Sequence, residues 1–164
     1  MITLLEPFDV EVLASTRSGN PVDGAAETVT PDRHGEILAR ADFVVIAAPA
    51  TPETKQLMST AELAAMKPSA YLINIARGSL VDTDALVAAI TAGEIAGAAL
   101  DVTDPEPLPT GHPLWSMPNC IITPHVGNTA EMVPPLFTER ATDKVVSVVT
   151  VFPPASLIRT TGCC

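Results

Sequence analysis

Four short apolar runs, spaced by helix-length stretches, decide the class of fold open to this chain. They lie at Asp42 to Ala48, Ala70 to Ile75, Ala96 to Val102 and Cys120 to Thr123. A run of that length without polar alternation suits a strand covered on both faces, and such strands belong to parallel sheets flanked by helices. A further short strand is predicted where Val10, Val12 and Ala14 alternate with Glu11 and Leu13, ending at Ser15-Thr16-Arg17.

Between the runs the chain carries helix signals. Pro31-Asp32 opens a predicted helix through Ala41. Ser59-Thr60-Ala61-Glu62 has the capping-box pattern ahead of Leu63-Ala64-Ala65-Met66. Asp82 is placed to cap a helix through Thr91, which Gly93 stops. A last helix is predicted from near Pro134 past Lys144. Gly19, Asn20, Pro21 and Gly24 mark a loop after the first strand, and Pro49 and Pro52 end the second. Strand and helix alternate throughout, so the class is α/β with a mostly parallel sheet.

Three residues just beyond predicted strands suggest chemistry. Arg77 follows Tyr71-Leu72-Ile73-Asn74-Ile75 and precedes Gly78; Glu106 lies in Asp101-Val102-Thr103-Asp104-Pro105-Glu106-Pro107; His125 lies in Thr123-Pro124-His125-Val126-Gly127. One sheet edge can gather all three, an apparatus suited to reducing a 2-keto acid. His125 is the expected general acid, because imidazole titrates near neutrality. Glu106 is expected to hold the other ring nitrogen and favour the protonated ring. Arg77 is expected to clamp the substrate carboxylate through its planar fork of donors. Each has a bland alternative: a structural hydrogen bond for His125, a solvated loop acid for Glu106, a turn contact for Arg77. His34 is expected to face solvent, Met58, Met66 and Met132 to fill core, and Cys120 to be an inert core thiol. His112-Pro113-Leu114-Trp115 is expected to pack a loop or a subunit contact rather than do chemistry.

Composition narrows the partners. A chain of 164 residues makes about one domain, and 47% apolar content supplies a core. A net charge of −10 argues against a nucleic-acid surface. There is no apolar run of membrane-spanning length, and Met1-Ile2-Thr3-Leu4-Leu5-Glu6-Pro7 lacks a signal-peptide pattern. Three cysteines, two of them adjacent at Cys163-Cys164, form neither a disulfide framework nor a metal spacing. A cytoplasmic protein without a metal site is the expectation.

The order Asn74-Ile75-Ala76-Arg77-Gly78, Val81-Asp82, Ala99-Leu100-Asp101-Val102 with Glu106-Pro107, His112-Pro113-Leu114-Trp115 and Thr123-Pro124-His125 resembles the D-isomer-specific 2-hydroxyacid dehydrogenase family. The likeness runs from about Phe8 to about Val145 and covers the later part of that family's nucleotide-binding domain. It implies a Rossmann-like doubly wound sheet, an NAD or NADP cofactor, a small 2-keto or 2-hydroxy acid substrate, possible homodimers, and the same roles for Arg77, Glu106 and His125. It further implies that Asp101 holds the nicotinamide carboxamide, that Ile75, Ala76 and the His125-Val126-Gly127 turn line that ring, and that Pro49 flanks the adenosine. For Pro49 and Asp101 the plainer roles are a strand stop and a turn residue. An acid at the end of the second strand normally binds the ribose 2′-hydroxyl of NAD. Thr16 stands there with Arg17 beside it, so NADP is slightly favoured, Arg17 as an exposed loop cation being the alternative.

The Gly-x-Gly-x-x-Gly turn that opens such folds is missing from the sequence. Ile2 to Phe8 reads as the end of the helix that should follow it. In the strand order 3-2-1-4-5-6 the absent strand is the central one, so the sheet is expected to have a gap with unpaired backbone on both sides. Residues 1–150 are read as a partial NAD(P)-binding domain, 151–164 as an irregular tail, and the substrate domain as largely absent; a truncated or disrupted gene, or an incomplete gene model, is the expectation. Three functions compete: a reductase of the glyoxylate or hydroxypyruvate kind (phosphoglycerate oxidation being a variant), a non-catalytic nucleotide-sensing or partner-binding protein such as the family's co-repressors, and an inactive remnant.

Overall fold

The computed structural model describes residues 2–127 and 148–152. The described strands form one seven-stranded sheet, β2-β1-β7-β3-β4-β5-β6. They are β1 (Leu13–Ser15), β2 (Glu27–Val29), β3 (Phe43–Ala47), β4 (Tyr71–Asn74), β5 (Gly97–Leu100), β6 (Cys120–Ile122) and β7 (Val148–Phe152). β1 and β2 pair in parallel, as do β3, β4, β5 and β6 in turn. β7 lies between β1 and β3 and runs antiparallel to both. The helices are α1 (Ile2–Leu5), α2 (His34–Leu38), α3 (Thr60–Ala65) and α4 (Thr83–Ala92). This is the α/β, Rossmann-like class.

Local chemistry explains the element ends. In α3, Glu62 returns its carboxylate to the Ser59 amide at 3.1 Å and also takes the Ser59 hydroxyl, closing the capping box. In α4, the Asp82 carboxylate accepts from the Ala85 amide at 3.0 Å. Gly93 ends that helix at φ +71°, and its amide reaches Ala89 and Ile90 carbonyls.

β3 shows why its run is apolar throughout. Val44 and Ile46 enter the main core with Leu38, Leu63, Leu72, Leu80 and Leu86, while Val45 joins Val12 in a smaller cluster with Ile2, Leu5 and Ile73. Both faces are therefore covered. Asp42, at the start of β3, is buried and paired with Lys67 Nζ at 3.1 Å. This pair lies at the sheet edge opposite the loops that follow the strands.

Several expectations are corrected. The gap between β1 and β3 is filled: β7 takes the central slot and gives both neighbours the backbone partners they need. The tail read as irregular from 151 onward therefore begins inside a strand, since Val151 and Phe152 belong to β7. The helix expected over 31–41 is a 3-10 turn at Pro31–Arg33 followed by α2, five residues long. β2 was absent from the sequence reading: Glu27–Val29 is too short and too polar to register as a strand, and needs β1 beside it to form. His34 is half-buried rather than solvent-facing, with Nε2 at 2.5 Å from the Ser15 hydroxyl; burial pushes its imidazole below the ordinary value, against the pull of Glu62 and Asp32. The helix predicted near Pro134, and Met132, lie outside the described residues. Met58 and Met66 are buried in the core as expected.

Candidate active site

β4, β5 and β6 are level with one another: Asn74 pairs with Leu100, and Leu100 with Ile122. Their following loops leave the same sheet edge. Arg77, Asp101 with Glu106, and His125 are carried on those three loops.

His125 and Glu106 meet. Nδ1 lies 2.7 Å from Glu106 Oε1, and the two side chains are 42% and 41% exposed. With Glu106 as the acceptor Nδ1 is the donor of this pair, and Nε2 has no protein partner among the described residues. The pair thus fixes the tautomer and leaves one nitrogen free to give or take a proton.

The turn carrying His125 is built on Asp101. Asp101 Oδ1 accepts from the Thr123 hydroxyl at 2.5 Å and the Val126 amide at 2.9 Å; Oδ2 accepts from the Gly127 amide at 2.8 Å. These donors hold the Asp101 carboxyl below its usual range, the Thr123 hydroxyl foremost, then the two amides and the nearby His125. His125 sits at φ +56°, a left-handed conformation that a side chain adopts at a cost of about 1 kcal/mol. The three bonds to Asp101 keep it there. Gly127 is glycine for reasons of space, because a Cβ there would stand 2.8 Å from Asp101 Oδ2.

The loop bearing Glu106 is tied down at several points. Thr103 Oγ1 donates to the Pro105 carbonyl at 3.0 Å, and Thr83 Oγ1 to the Asp104 carbonyl at 2.7 Å. Val102 and Leu108 are buried on either side. His112 Nδ1 accepts from the Leu114 amide, and Trp115 Nε1 donates to the Pro109 carbonyl at 3.1 Å, so the His112-Pro113-Leu114-Trp115 segment packs the loop. Cys120 is half-buried at the edge of the core, and burial pushes its thiol up, away from reactivity.

Arg77 is exposed, and no carboxylate pairs with it among the described residues; Nη1 donates to the Ala76 carbonyl at 2.6 Å. The loop behind it packs directly on the Glu106 loop. A Cβ at Gly78 would lie 1.9 Å from the Thr103 carbonyl oxygen. Ile75 is 46% exposed and Ala76 half-buried, giving the edge an apolar surface beside the charged groups.

Of the other expected cofactor contacts, Pro49 follows β3, and Thr16 and Arg17 follow β1, beyond β7 in the sheet. Thr16 is buried, and its hydroxyl accepts from the Gly19 amide at 3.1 Å, so it shapes a turn. Arg17 is exposed and near Glu53, whose carboxyl is held below its usual range chiefly by the Thr51 hydroxyl, with Arg17 contributing. Pro49 is exposed, and its carbonyl accepts from the Thr54 hydroxyl at 2.7 Å. The structure therefore joins His125 to Glu106 by a direct bond and seats the turn that carries His125 on Asp101 through Thr123, Val126 and Gly127. It places Arg77 on the adjoining loop and leaves Thr16, Arg17 and Pro49 as a separate group. Asn74 and Gly78, which hold the Arg77 loop, carried no functional sign in the sequence beyond their place in a motif.

The residues a dinucleotide would meet are a carboxylate at Asp101, an exposed apolar side chain at Ile75 and an exposed cation at Arg17. Among the described residues the slot between β1 and β3 holds β7, whose Val148 end lies beside Ala47 at this edge. Donors for a diphosphate are therefore not provided by a strand-to-helix turn among the described residues. Among those residues there is also no group of three or more potential metal ligands and no helix long and apolar enough to cross a membrane.

The fold is that of a Rossmann-like nucleotide-binding domain, a mostly parallel sheet flanked by helices, with the His125–Glu106 pair and Arg77 on loops at the carboxyl edge of its parallel strands. Residues 1–127 match the profile of the D-isomer specific 2-hydroxyacid dehydrogenase, NAD binding domain, and the chain belongs to that family. It is 44% identical over 128 residues to the human glyoxylate reductase/hydroxypyruvate reductase, covering 76% of this chain and 38% of that protein. Its structure resembles phosphoglycerate dehydrogenase from Lactobacillus plantarum, with TM-score 0.75, 38% identity, 92% of this chain and 51% of that one. It also resembles a D-isomer specific 2-hydroxyacid dehydrogenase from Xanthobacter autotrophicus Py2 in complex with NADPH and MES, with TM-score 0.70, 38% identity, 79% of this chain and 54% of that one. The chain thus spans less than half the length of the curated relatives it matches. The family's cofactor is NAD or NADP, and its reactions are oxidoreductions of CH–OH donors.

Proposed function

We propose that this chain carries the proton-transfer and carboxylate-binding groups of an NAD(P)-dependent reductase of small 2-keto acids, of the glyoxylate or hydroxypyruvate kind. The observation that carries this reading is the His125–Glu106 pair at 2.7 Å, with Nε2 left without a protein partner among the described residues. When bound, the nicotinamide supplies the hydride. His125 Nε2 gives its proton to the carbonyl oxygen as that oxygen gains electrons, and Glu106 steadies the imidazolium before the transfer. Arg77, unopposed by a carboxylate, holds the substrate carboxylate and draws electron density from the carbonyl. Ile75, Ala76, Asp101 and Gly127 would hold the nicotinamide end; Pro49, Thr16 and Arg17 would serve the adenosine end, Thr16 by shaping the turn that presents Arg17. With no acid at the end of β1 to repel a 2′-phosphate, NADPH is preferred to NADH.

The test is steady-state reduction of glyoxylate by the chain and by its His125→Ala variant, with each cofactor. Turnover is expected to vanish in the variant while NADPH binding, read by cofactor fluorescence, persists. Retained turnover removes His125 from the mechanism. A higher kcat/KM with NADH than with NADPH removes Arg17 from cofactor choice.

A further inference from the structure

Asn74 is fully buried at the end of β4, beside a core of Leu, Ile, Val, Met and Ala. An amide in such surroundings costs stability unless its polar atoms are paired. Its partners are specific. Oδ1 accepts from the Ala76 amide at 3.0 Å, and Nδ2 donates to the Arg77 carbonyl at 2.9 Å. Its backbone carbonyl accepts from the Asp101 amide at 2.9 Å, tying the ends of β4 and β5 together. One side chain thus turns the amide of Ala76 and the carbonyl of Arg77 toward the core. Ile75 and Arg77 then lie on the exposed side of the loop while Gly78 is buried against Thr103.

The loop adds one longer tie of its own, from the Leu80 amide to the Arg77 carbonyl at 3.3 Å. The Arg77 guanidinium makes one short bond to the adjacent Ala76 carbonyl and no carboxylate anchors it among the described residues. Its direction is therefore set by the backbone from which it starts, and the Asn74 side chain holds that backbone at both Ala76 and Arg77 by its shorter bonds. We propose that Asn74 is a positioning residue for Arg77, fixing the loop from which the guanidinium meets the substrate carboxylate. The proposal rests on the reading of Arg77 given above.

The experiment is a double-mutant cycle on the full chain with Asn74→Asp and Arg77→Ala. Asn74→Asp keeps the acceptor for Ala76 and replaces the donor to Arg77 by an oxygen. The readouts are KM and kcat for glyoxylate, the Kd of oxamate (an unreactive mimic of the keto acid) in the presence of NADPH, and the Kd of NADPH itself. Asn74→Asp is expected to raise KM and the oxamate Kd about tenfold, the loss of one buried hydrogen bond, with NADPH affinity unchanged. Combined with Arg77→Ala it should add nothing further. Additive effects, or an unchanged KM and oxamate Kd in Asn74→Asp while Arg77→Ala is impaired, overturn the role of Asn74 and leave that of Arg77 standing. An Arg77→Ala variant that binds oxamate and turns over normally, or a parent chain that does neither, overturns the reading of Arg77 and the proposal with it. If Asn74→Asp does not fold, Asn74→Ser takes its place in the cycle; loss of fold in both assigns Asn74 to the core alone and overturns positioning.

Discussion

Asp101 illustrates how one carboxylate can decide the posture of another residue. Its two oxygens collect one hydroxyl and two amides from the turn at 123–127, and that turn holds His125 at positive φ. Asparagine has nearly the same shape but only one acceptor oxygen, so Asp101→Asn leaves the Gly127 amide facing an NH2 group. The variant is expected to lose about tenfold in kcat, through misplacement of His125, with a cost of about 1–2 kcal/mol at the turn. Amide hydrogen exchange of residues 125–127 checks this and should quicken in the variant. The sign of the pH effect follows from the depressed carboxyl. The clamp is complete above the ordinary Asp value of about 3.9 and is lost only as pH falls through the lower folded value. Protection of the parent turn, corrected for intrinsic rates, should therefore stay level from neutral pH down to about 5. Exchange as fast in the parent as in the variant would show that Asp101 does not hold the turn.

At the scale of elements, the site is made by two loops that touch backbone to backbone. The Arg77 loop meets the Glu106 loop at Gly78 and Thr103, where no Cβ can be accommodated. Gly78→Ala forces these loops apart, because the atom it meets is a carbonyl rather than a movable side chain. A destabilisation of about 1–3 kcal/mol is expected, as for an overpacked core, and with it a raised KM for the keto acid. Urea unfolding and steady-state kinetics read the two effects; a variant as stable as the parent, with unaltered KM, means the loops do not need this contact. The sequence made part of this legible. The strands from β3 to β5 are readable because most of their residues are covered, which leaves nearly continuous apolar runs, and β6 from its short run Cys120-Ile121-Ile122, although at the sheet edge Ile121 is 66% exposed. Asp82, Ser59 with Glu62, and Gly93 are readable because caps act locally. His125 and Glu106 were found as types in a motif. The 2.7 Å contact that joins them spans 19 residues and exists only once β5 and β6 are paired. β2 and the His34–Ser15 bond were missed for the same reason, since both depend on β1 as a neighbour.

Over the whole molecule, β7 matters most. A parallel sheet of this class places a strand between the two halves, and its partners on either side present backbone donors and acceptors that must be met. Here β7 meets them from the opposite direction: Thr150 is level with Ala14 on one side and with Val45 on the other. The consequence reaches the ligand. A parallel strand in this slot would deliver its C-terminal turn, and the following helix N-terminus, to the edge where Arg77 and His125 stand; β7 delivers its N-terminal end there instead. The net charge of −10 makes local cations the means of drawing an anionic ligand to that edge. Arg77 and Arg17 are exposed cations on its two sides. The stability argument is separable from the ligand. Proline lacks the amide hydrogen a central strand must donate, so Thr150→Pro should weaken the join between β1 and β3 by about 2 kcal/mol or more. Urea melts should show a lower midpoint, and exchange at Ala14 and Val45 should quicken together. Full stability with both amides still protected would mean that the sheet's centre is not held by β7.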